Sequence, residues 1–308
     1  MRLPSALYAK ISRKLLVLSH EEDVDGIVSA AIALKKNPSA VLVLAKPREI
    51  EHPTFSSKWI SWVTWDIVAD LPCPPRTIMY VDHHRSNIPK ARIVYHDPEA
   101  PAAAVLMAKA MKLEDDKEVK KLIDIAVQAD TARIVSQEAW DLNDAVKGAD
   151  YRGRVFLARK LAEVGLKVLE LDNVKEWISK SRRIRENTKK LADSIEVEPV
   201  MIVRLLSKLD IYGRALAIEL EKRGAEFTCI IVPEKNNLLK LHFGSRGKYD
   251  CSIIAKRVGG GGHLRAAGAT IRVKEEENLY QLLKIYLGVS RITVTEVYSL
   301  TEVKKIVI

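Results

Sequence analysis

Asp82, His83 and His84 are three consecutive side chains that can bind a metal ion or carry a proton. They follow residues 77–81, an apolar run typical of a buried strand. Parallel α/β sheets place their chemistry at the carboxyl ends of strands, which open into a crevice between helices. Taken alone, the triplet fits surface or core histidines equally well. Whether the triplet belongs to a functional site therefore depends on whether further acidic residues follow other strands.

Four more acids and one more histidine follow predicted strands or end an apolar helical stripe: His20, Asp23, Asp25, Asp70 and Asp130. Carboxylates that share a cleft repel each other unless cations lie between them. Mixed carboxylate and imidazole ligands suit Mn²⁺ and related divalent ions better than Ca²⁺. Two such ions, typically ~3.5–4 Å apart, are the usual solution for cleaving phosphate esters. The pattern therefore predicts a two-metal hydrolytic centre.

The third predicted strand offers a choice between two carboxylates. Asp66 precedes the apolar triplet of this strand, residues 67–69, and Asp70 follows it. We therefore expect Asp70 in the centre, with Asp66 as the alternate.

The elements that must position these residues alternate along the first half of the chain. Strands are predicted over 15–19, 41–45, 66–72, 77–82 and 91–95, and helices over 27–34, 102–111, 117–130 and 144–171. The second half is predicted to contain strands 200–205, 226–232 and 238–243 and helices 213–223 and 250–258. This order indicates an α/β protein whose N-terminal parallel sheet has helices on both faces.

A basic amphipathic helix over residues 173–192 separates the two halves. Its positive side chains form either the solvated face of a linker or a contact for nucleic acid. A change of composition near residues 196–199 marks the end of the linker. We expect a catalytic domain over 1–172, a basic helical linker over 173–198 and a smaller α/β domain over 199–308.

Composition describes an ordinary globular chain of 308 residues, 47% hydrophobic and 29% charged. No apolar run approaches the ~20 residues of a membrane span, and we see no signal peptide. Three widely spaced cysteines form no zinc pattern and favour a reduced, cytoplasmic setting. The net charge of +10 favours an anionic partner, although surface ion pairs of a heat-adapted protein also fit it.

These motifs together resemble the DHH phosphoesterase superfamily. The resemblance rests on Asp-x-Asp-Gly at 23–26, a later strand-end acid, Asp-His-His at 82–84 and a lone Asp130. Residues 259–268, Gly-Gly-Gly-Gly-His-Leu-Arg-Ala-Ala-Gly, resemble the glycine-rich motif of the associated DHHA1 domain. The superfamily includes RecJ-type exonucleases, nanoRNases, cyclic-dinucleotide phosphodiesterases and family II pyrophosphatases.

The resemblance implies a role for each matching residue. One ion would be held by His20, Asp23 and Asp70, and the other by Asp25, Asp70, His83 and Asp130. His84 would contact the scissile phosphate, and Asp82 would orient the histidines. His20 lies three residues before Asp23, where the family often has two or four, so Glu22 is an alternate ligand. Substrate would be bound by Gly260, Gly261, Gly262, His263, Ser245, Arg246 and Arg265.

The leading functional prediction is a manganese-dependent phosphodiesterase for single-stranded DNA, RNA or short oligonucleotides, with Mg²⁺ or Co²⁺ as substitute ions. The resemblance favours a 3′→5′ exonuclease that works with a helicase or another replication or repair protein, and a homo-oligomer is open. One alternative is a small-substrate enzyme, a nanoRNase or cyclic-dinucleotide phosphodiesterase. The other is a non-catalytic replication or repair scaffold.

Overall fold

The computed structural model describes residues 2–131 and 133–308, and the chain divides into two compact units. The first unit ends at Ser181, and the second is Arg182–Ile308. The elements of the first are α1 (Arg2–Ile11), β1 (Leu16–His20), α2 (Val24–Lys36), β2 (Val41–Ala45), α3 (Pro47–Glu51), β3 (Trp65–Ala69), β4 (Thr77–Asp82), β5 (Ala91–His96), α4 (Ala103–Met111), α5 (Lys117–Asp130), α6 (Gln137–Gly148) and α7 (Tyr151–Val164).

The first unit is built on a five-stranded sheet in the order β2-β1-β3-β4-β5, with every neighbouring pair parallel. Alternate residues of β1 enter different cores. Leu16 and Leu18 pack with α1, whereas Val17 packs with the helices of the other face, α2 and α4 to α7. The predicted parallel sheet with helices on both faces is confirmed. All five carboxyl ends therefore open on one edge.

Two features of the first unit differ from expectation. The helix predicted over 144–171 is broken, because α6 ends at Gly148 and the Asp150 side chain accepts a hydrogen bond from the Gly153 amide to start α7. A short 3₁₀ segment, Gly165–Glu170, follows it. Helix α1 was not predicted at all.

The basic segment is one long helix, α8 (Asp172–Ser194), and the division between the units falls within it. Val174 and Ile178 are buried in the first unit, and Leu191 is buried in the second. Lys175, Lys180 and Lys189 are exposed on the helix surface. The boundaries at residues 172 and 198 stay a prediction.

The second unit contains a seven-stranded mixed sheet in the order β12-β11-β6-β7-β8-β10-β9. Its remaining elements are β6 (Val200–Leu205), α9 (Gly213–Lys222), β7 (Phe227–Glu234), β8 (Leu238–Ser245), α10 (Cys251–Arg257), β9 (Gly261–His263), β10 (Ala266–Arg272), α11 (Glu276–Leu287), β11 (Thr293–Val297) and β12 (Val303–Val307). Among the described residues, no helix is long and apolar enough to cross a membrane.

Candidate metal centre

His20 and Asp23 lie where β1 passes into α2. The Asp23 side chain caps α2 by accepting from the Gly26 amide at 2.9 Å, and its other oxygen lies 2.6 Å from His20 Nδ1. A Cβ at Gly26 would stand 2.5 Å from both His20 Cβ and the His20 carbonyl oxygen. Glycine therefore allows the first turn of α2 to approach the strand end closely, and the Asp-x-Asp-Gly motif has a structural reason as well as a chemical one.

Asp70 lies just beyond β3 and is almost completely buried. Its φ of 54° is in the left-handed region, which Asp tolerates better than most residues. This backbone conformation turns the side chain toward both neighbouring strand ends. One oxygen lies 3.2 Å from His20 Nδ1, and the other lies 3.8 Å from His83 Nε2. Asp70 thus lies beside both groups of side chains, and the bridging role that the family resemblance implies for it stays a prediction.

Asp25, in the first turn of α2, is held by the start of α4. Its two carboxylate oxygens accept hydrogen bonds from the amides of Ala103 and Ala104 at 2.6 and 2.8 Å. Burial and the charge of Asp23 raise the pKa of Asp25 to about 7, although the two amides oppose the shift. The positive end of α4 therefore stabilises a carboxylate that would otherwise be difficult to bury.

His83 faces three carboxylates. Its Nδ1 donates to the Ala100 carbonyl at 3.1 Å, which fixes the ring with Nε2 toward the carboxylates. That Nε2 lies 3.7 Å from Asp25, 3.8 Å from Asp70 and 3.7 Å from Asp130, which ends α5. Three carboxylates gathered around one ring nitrogen repel each other. A cation among them would relieve the repulsion.

The residues present fit divalent ions. Potential ligand atoms lie within 4.8 Å of one another in three groups: His20, Asp23 and Asp70; Asp25, His83 and Asp130; and Asp70, His83 and His84. Buried Asp70 Oδ1 and His83 Nε2 have no hydrogen-bond partner. Burial followed by the charges of Asp23 and Asp25 raises the pKa of Asp70. Such uncompensated groups are typical of a metal site.

His84 is oriented by a buried carboxylate behind it. Its Nδ1 lies 2.9 Å from Asp82 Oδ1, and Asp82 Oδ2 lies 2.6 Å from the Tyr80 hydroxyl and 2.7 Å from Asn87 Nδ2. Burial raises the pKa of Asp82, but the hydrogen bonds from His84, Tyr80 and Asn87 outweigh it and keep the pKa low. The hydrogen bond to Asp82 raises the pKa of His84, which is half exposed.

Tyr80 and Asn87 were missed by sequence reasoning. Tyr80 lies in the apolar strand β4, so the sequence pattern indicates an ordinary core residue and gives no sign that its buried hydroxyl contacts a carboxylate. Asn87 lies in a turn five residues after Asp82 and resembles an ordinary turn residue. Only the shared partner Asp82 reveals their common role.

The two alternate ligands lie outside these groups. Asp66, at the start of β3, accepts from the Leu16 amide at 2.8 Å, toward the opposite edge of the sheet from the strand ends. Glu22 is paired with Lys46. Glu21, which was not considered, is buried and forms a 2.9 Å ion pair with Arg154 of α7, so it fixes the chain beside His20.

The predicted substrate residues of the second unit lie on β8, on the β9–β10 hairpin and in the turns beside them. His263, Arg246 and Arg265 are exposed, and the Ser245 amide donates to the Arg265 carbonyl at 3.1 Å. Ser245 itself is buried, and its hydroxyl accepts from the amides of Gly247 and Tyr249. Ser245 therefore shapes the turn rather than facing a ligand. The expected glycine loop is largely an edge strand, Gly261–His263, with Gly260 just before it.

Comparison with known proteins identifies the second unit first: residues 204–288 match the DHHA1 domain family. Residues 204–288 therefore contain a DHHA1 domain, and the part of the resemblance that rests on the glycine-rich motif is confirmed. No curated protein matches the chain significantly.

Solved structures with a similar fold cover both units of the chain. The pGpG-specific phosphodiesterase PggH from Vibrio cholerae has a TM-score of 0.65 and 16% identity over 89% of this chain and 99% of its own. Exonuclease RecJ bound to manganese has a TM-score of 0.56 and 16% identity over 92% and 94%. CDC45 from Entamoeba histolytica has a TM-score of 0.54 and 9% identity over 93% and 97%.

Proposed function

We propose that this protein is a manganese-dependent phosphodiesterase that hydrolyses single-stranded nucleic acid or oligonucleotides as an exonuclease, with 3′→5′ polarity favoured. The observation that carries the proposal is the position of His83 Nε2, which lies 3.7–3.8 Å from three carboxylates and has no hydrogen-bond partner. The manganese in the RecJ structure supports the choice of ion.

Each side chain has a defined task under this proposal. Divalent ions bound here would supply Lewis acidity toward a phosphate ester and a site for water activation. His20 and Asp23 would hold one ion, Asp25, His83 and Asp130 the other, and Asp70 would bridge them. His84, whose raised pKa favours the protonated form, would donate a proton to the leaving oxygen. Asp82, Tyr80 and Asn87 would keep its ring in place.

The second candidate is a small-substrate phosphodiesterase for dinucleotides. It is favoured by the likeness to PggH, whose name specifies pGpG as substrate and whose length is covered almost completely. The scaffold alternative is weaker, because every side chain of the predicted metal groups is present and close to its partners.

A length series tests the proposal. The protein is incubated with Mn²⁺ and end-labelled DNA and RNA strands of 2 to 30 nucleotides, and the products are resolved. We expect stepwise release of mononucleotides and a loss of at least about 10³-fold in Asp70→Asn and His83→Ala. Asp66→Asn is the matched control in the same strand region and should keep activity. Hydrolysis by the His83→Ala protein at the wild-type rate would refute the mechanism. Cleavage confined to the shortest strands would favour the second candidate.

A further inference from the structure

One face of the first unit carries most of the exposed aromatic side chains. Among the residues that the structure describes, four aromatic side chains are classed as exposed, and three of them are Tyr8, Phe55 and Trp62. Their relative exposures are 52%, 102% and 63%. Several exposed aromatic rings on one face indicate a binding surface, whereas a single exposed apolar residue is common on any protein surface.

These three residues lie on the same side of the sheet. Ala6 and Ala9 of α1, together with Ile60, pack in one core with Leu16 and Leu18. Trp59 is fixed over that core, 6.0 Å from Trp65, and its Nε1 donates to the Ser56 carbonyl. The segments that bear Tyr8, Phe55 and Trp62 therefore cover a common face, and the helices of the other core lie across the sheet.

The segments that bear these rings carry an excess of positive charge, and the neighbouring α3 adds Glu49 and Glu51. Residues 2–15, 52–64 and 71–76 contain six basic residues and no acidic residue: Arg2, Lys10, Arg13, Lys14, Lys58 and Arg76. Arg2 and Lys10 pair with Glu49 and Asp66 of neighbouring segments. For Arg13, Lys58 and Arg76 no carboxylate of the described chain lies within ion-pair distance.

One exposed ring of this face has a cation beside it, because Lys14 Nζ lies 5.1 Å from the centre of the Tyr8 ring. Arg76 lies near the backbone of Trp62 and donates to its carbonyl at 3.1 Å. Proteins that bind single strands combine aromatic rings, on which bases stack, with basic groups that follow the phosphates. We name this set the aromatic face: Tyr8, Phe55, Trp62, Arg13, Lys58 and Arg76.

We propose that the aromatic face binds single-stranded nucleic acid by base stacking and phosphate contacts, outside the metal centre. The inference rests on the proposed function and deepens it, because it makes a polymer the substrate. A second copy of the chain is disfavoured as occupant, since its own face would carry the same positive charge. The exposed aliphatic side chains of α1, Leu7 and Ile11, fit an acidic protein segment instead, which is the competing outcome.

Binding without cleavage tests the aromatic face directly. Fluorescence anisotropy is measured with labelled 30-nucleotide dT and U strands in EDTA, on the wild type and on Phe55→Ala/Trp62→Ala. Loss of stacked bases should weaken binding of the 30-mer by at least about tenfold. The control is Tyr298→Ala, which removes the fourth exposed aromatic, in the second unit, and should bind as the wild type. Circular dichroism confirms that each variant is folded.

The outcomes separate this inference from the proposed function. If the double variant binds the 30-mer as the wild type does, the aromatic face is refuted as a nucleic-acid site and the acidic protein segment is left. If the double variant binds the 30-mer more weakly but the wild type hydrolyses no strand with Mn²⁺, the aromatic face is supported as a nucleic-acid site and the proposed activity is refuted. With active protein, the loss of kcat/KM should be larger for the 30-mer than for a dinucleotide. Equal losses on both substrates would also overturn the inference.

Discussion

Asp70 combines several unfavourable features in one side chain. It is buried to 1% exposure, its backbone is left-handed, and one of its oxygens has no hydrogen-bond partner. Burial and two neighbouring carboxylates oppose its negative charge, and His20 compensates part of it. Active sites commonly retain such groups at the expense of stability, because the charge is needed for function.

Replacing this charge should stabilise the metal-free protein. In Asp70→Asn with EDTA present, we expect the free energy of unfolding to rise by about 1–2 kcal/mol, because the repulsion from Asp23 and Asp25 is removed. The measurement is guanidinium denaturation. Added Mn²⁺ should raise the melting temperature of the wild type more than that of the variant. Asp66→Asn serves as the control and should respond to Mn²⁺ as the wild type does. A metal-free Asp70→Asn protein less stable than the wild type would contradict this account.

At the scale of elements, strands with strong apolar runs were predictable, and elements defined by tertiary contacts were not. The strands β2 and β6 match their predicted ranges, since both are bounded by clear breaks in hydrophobicity. Helix α1 and strands β10 to β12 were missed. Strand β10 is only moderately apolar and gains its order from pairing with β8 and β9 on both sides. Such pairing over distance leaves little local signal.

The same limit applies to the metal centre. Eight of its side chains were named from their positions at strand and helix ends, because parallel strands collect such residues at one edge. The groups that hold them were not named: amides of α4 hold Asp25, and a pair between Glu21 and Arg154 of α7 fixes the chain beside His20. These groups are remote in sequence from the residues that they hold or pair with. A sequence shows which residues can do chemistry more readily than which residues hold them.

The β9–β10 hairpin gives a prediction with a control one residue away. Gly262 has φ +139°, and an added Cβ would lie 2.5 Å from Ala267 Cα. At Gly261 an added Cβ meets nothing within 4 Å. Gly262→Ala should therefore lower the free energy of unfolding by about 1–3 kcal/mol, and Gly261→Ala should change it by less than about 0.5 kcal/mol. The measurement is chemical denaturation, which gives the free energy of unfolding of both variants. Equal losses would show that the hairpin does not have this close geometry.

On the scale of the whole molecule, the net charge of +10 attracts polyanions. The electrostatic contribution to affinity grows with the number of phosphates that contact basic side chains. The positive side chains are dispersed: exposed lysines lie on α8, exposed arginines lie beside the β9–β10 hairpin, and others lie on the aromatic face. A dinucleotide has too few phosphates to contact many of them. A long strand has enough.

Salt should therefore separate the two substrate classes. Each phosphate contact with a single strand contributes about 0.7 to the slope of log affinity against log salt. The slope of log KM for a 30-mer should exceed that for a dinucleotide by at least about 2, which corresponds to three additional contacts. Steady-state kinetics between 50 and 300 mM KCl, at fixed Mn²⁺, provides the test. Equal slopes would mean that only the metal centre contacts the strand, as in a small-substrate enzyme.

The left-handed backbone at Asp70 also limits which residues can replace this aspartate during evolution. Asparagine and glycine accept that conformation readily, whereas most other side chains add strain. Under the proposed function, a descendant that has lost phosphate-ester hydrolysis would gain stability by discarding the buried charge, but it would keep the turn after β3. We therefore expect inactive lineages to carry asparagine or glycine at this position. Loss of function in such a lineage would leave a recognisable substitution in an otherwise intact fold.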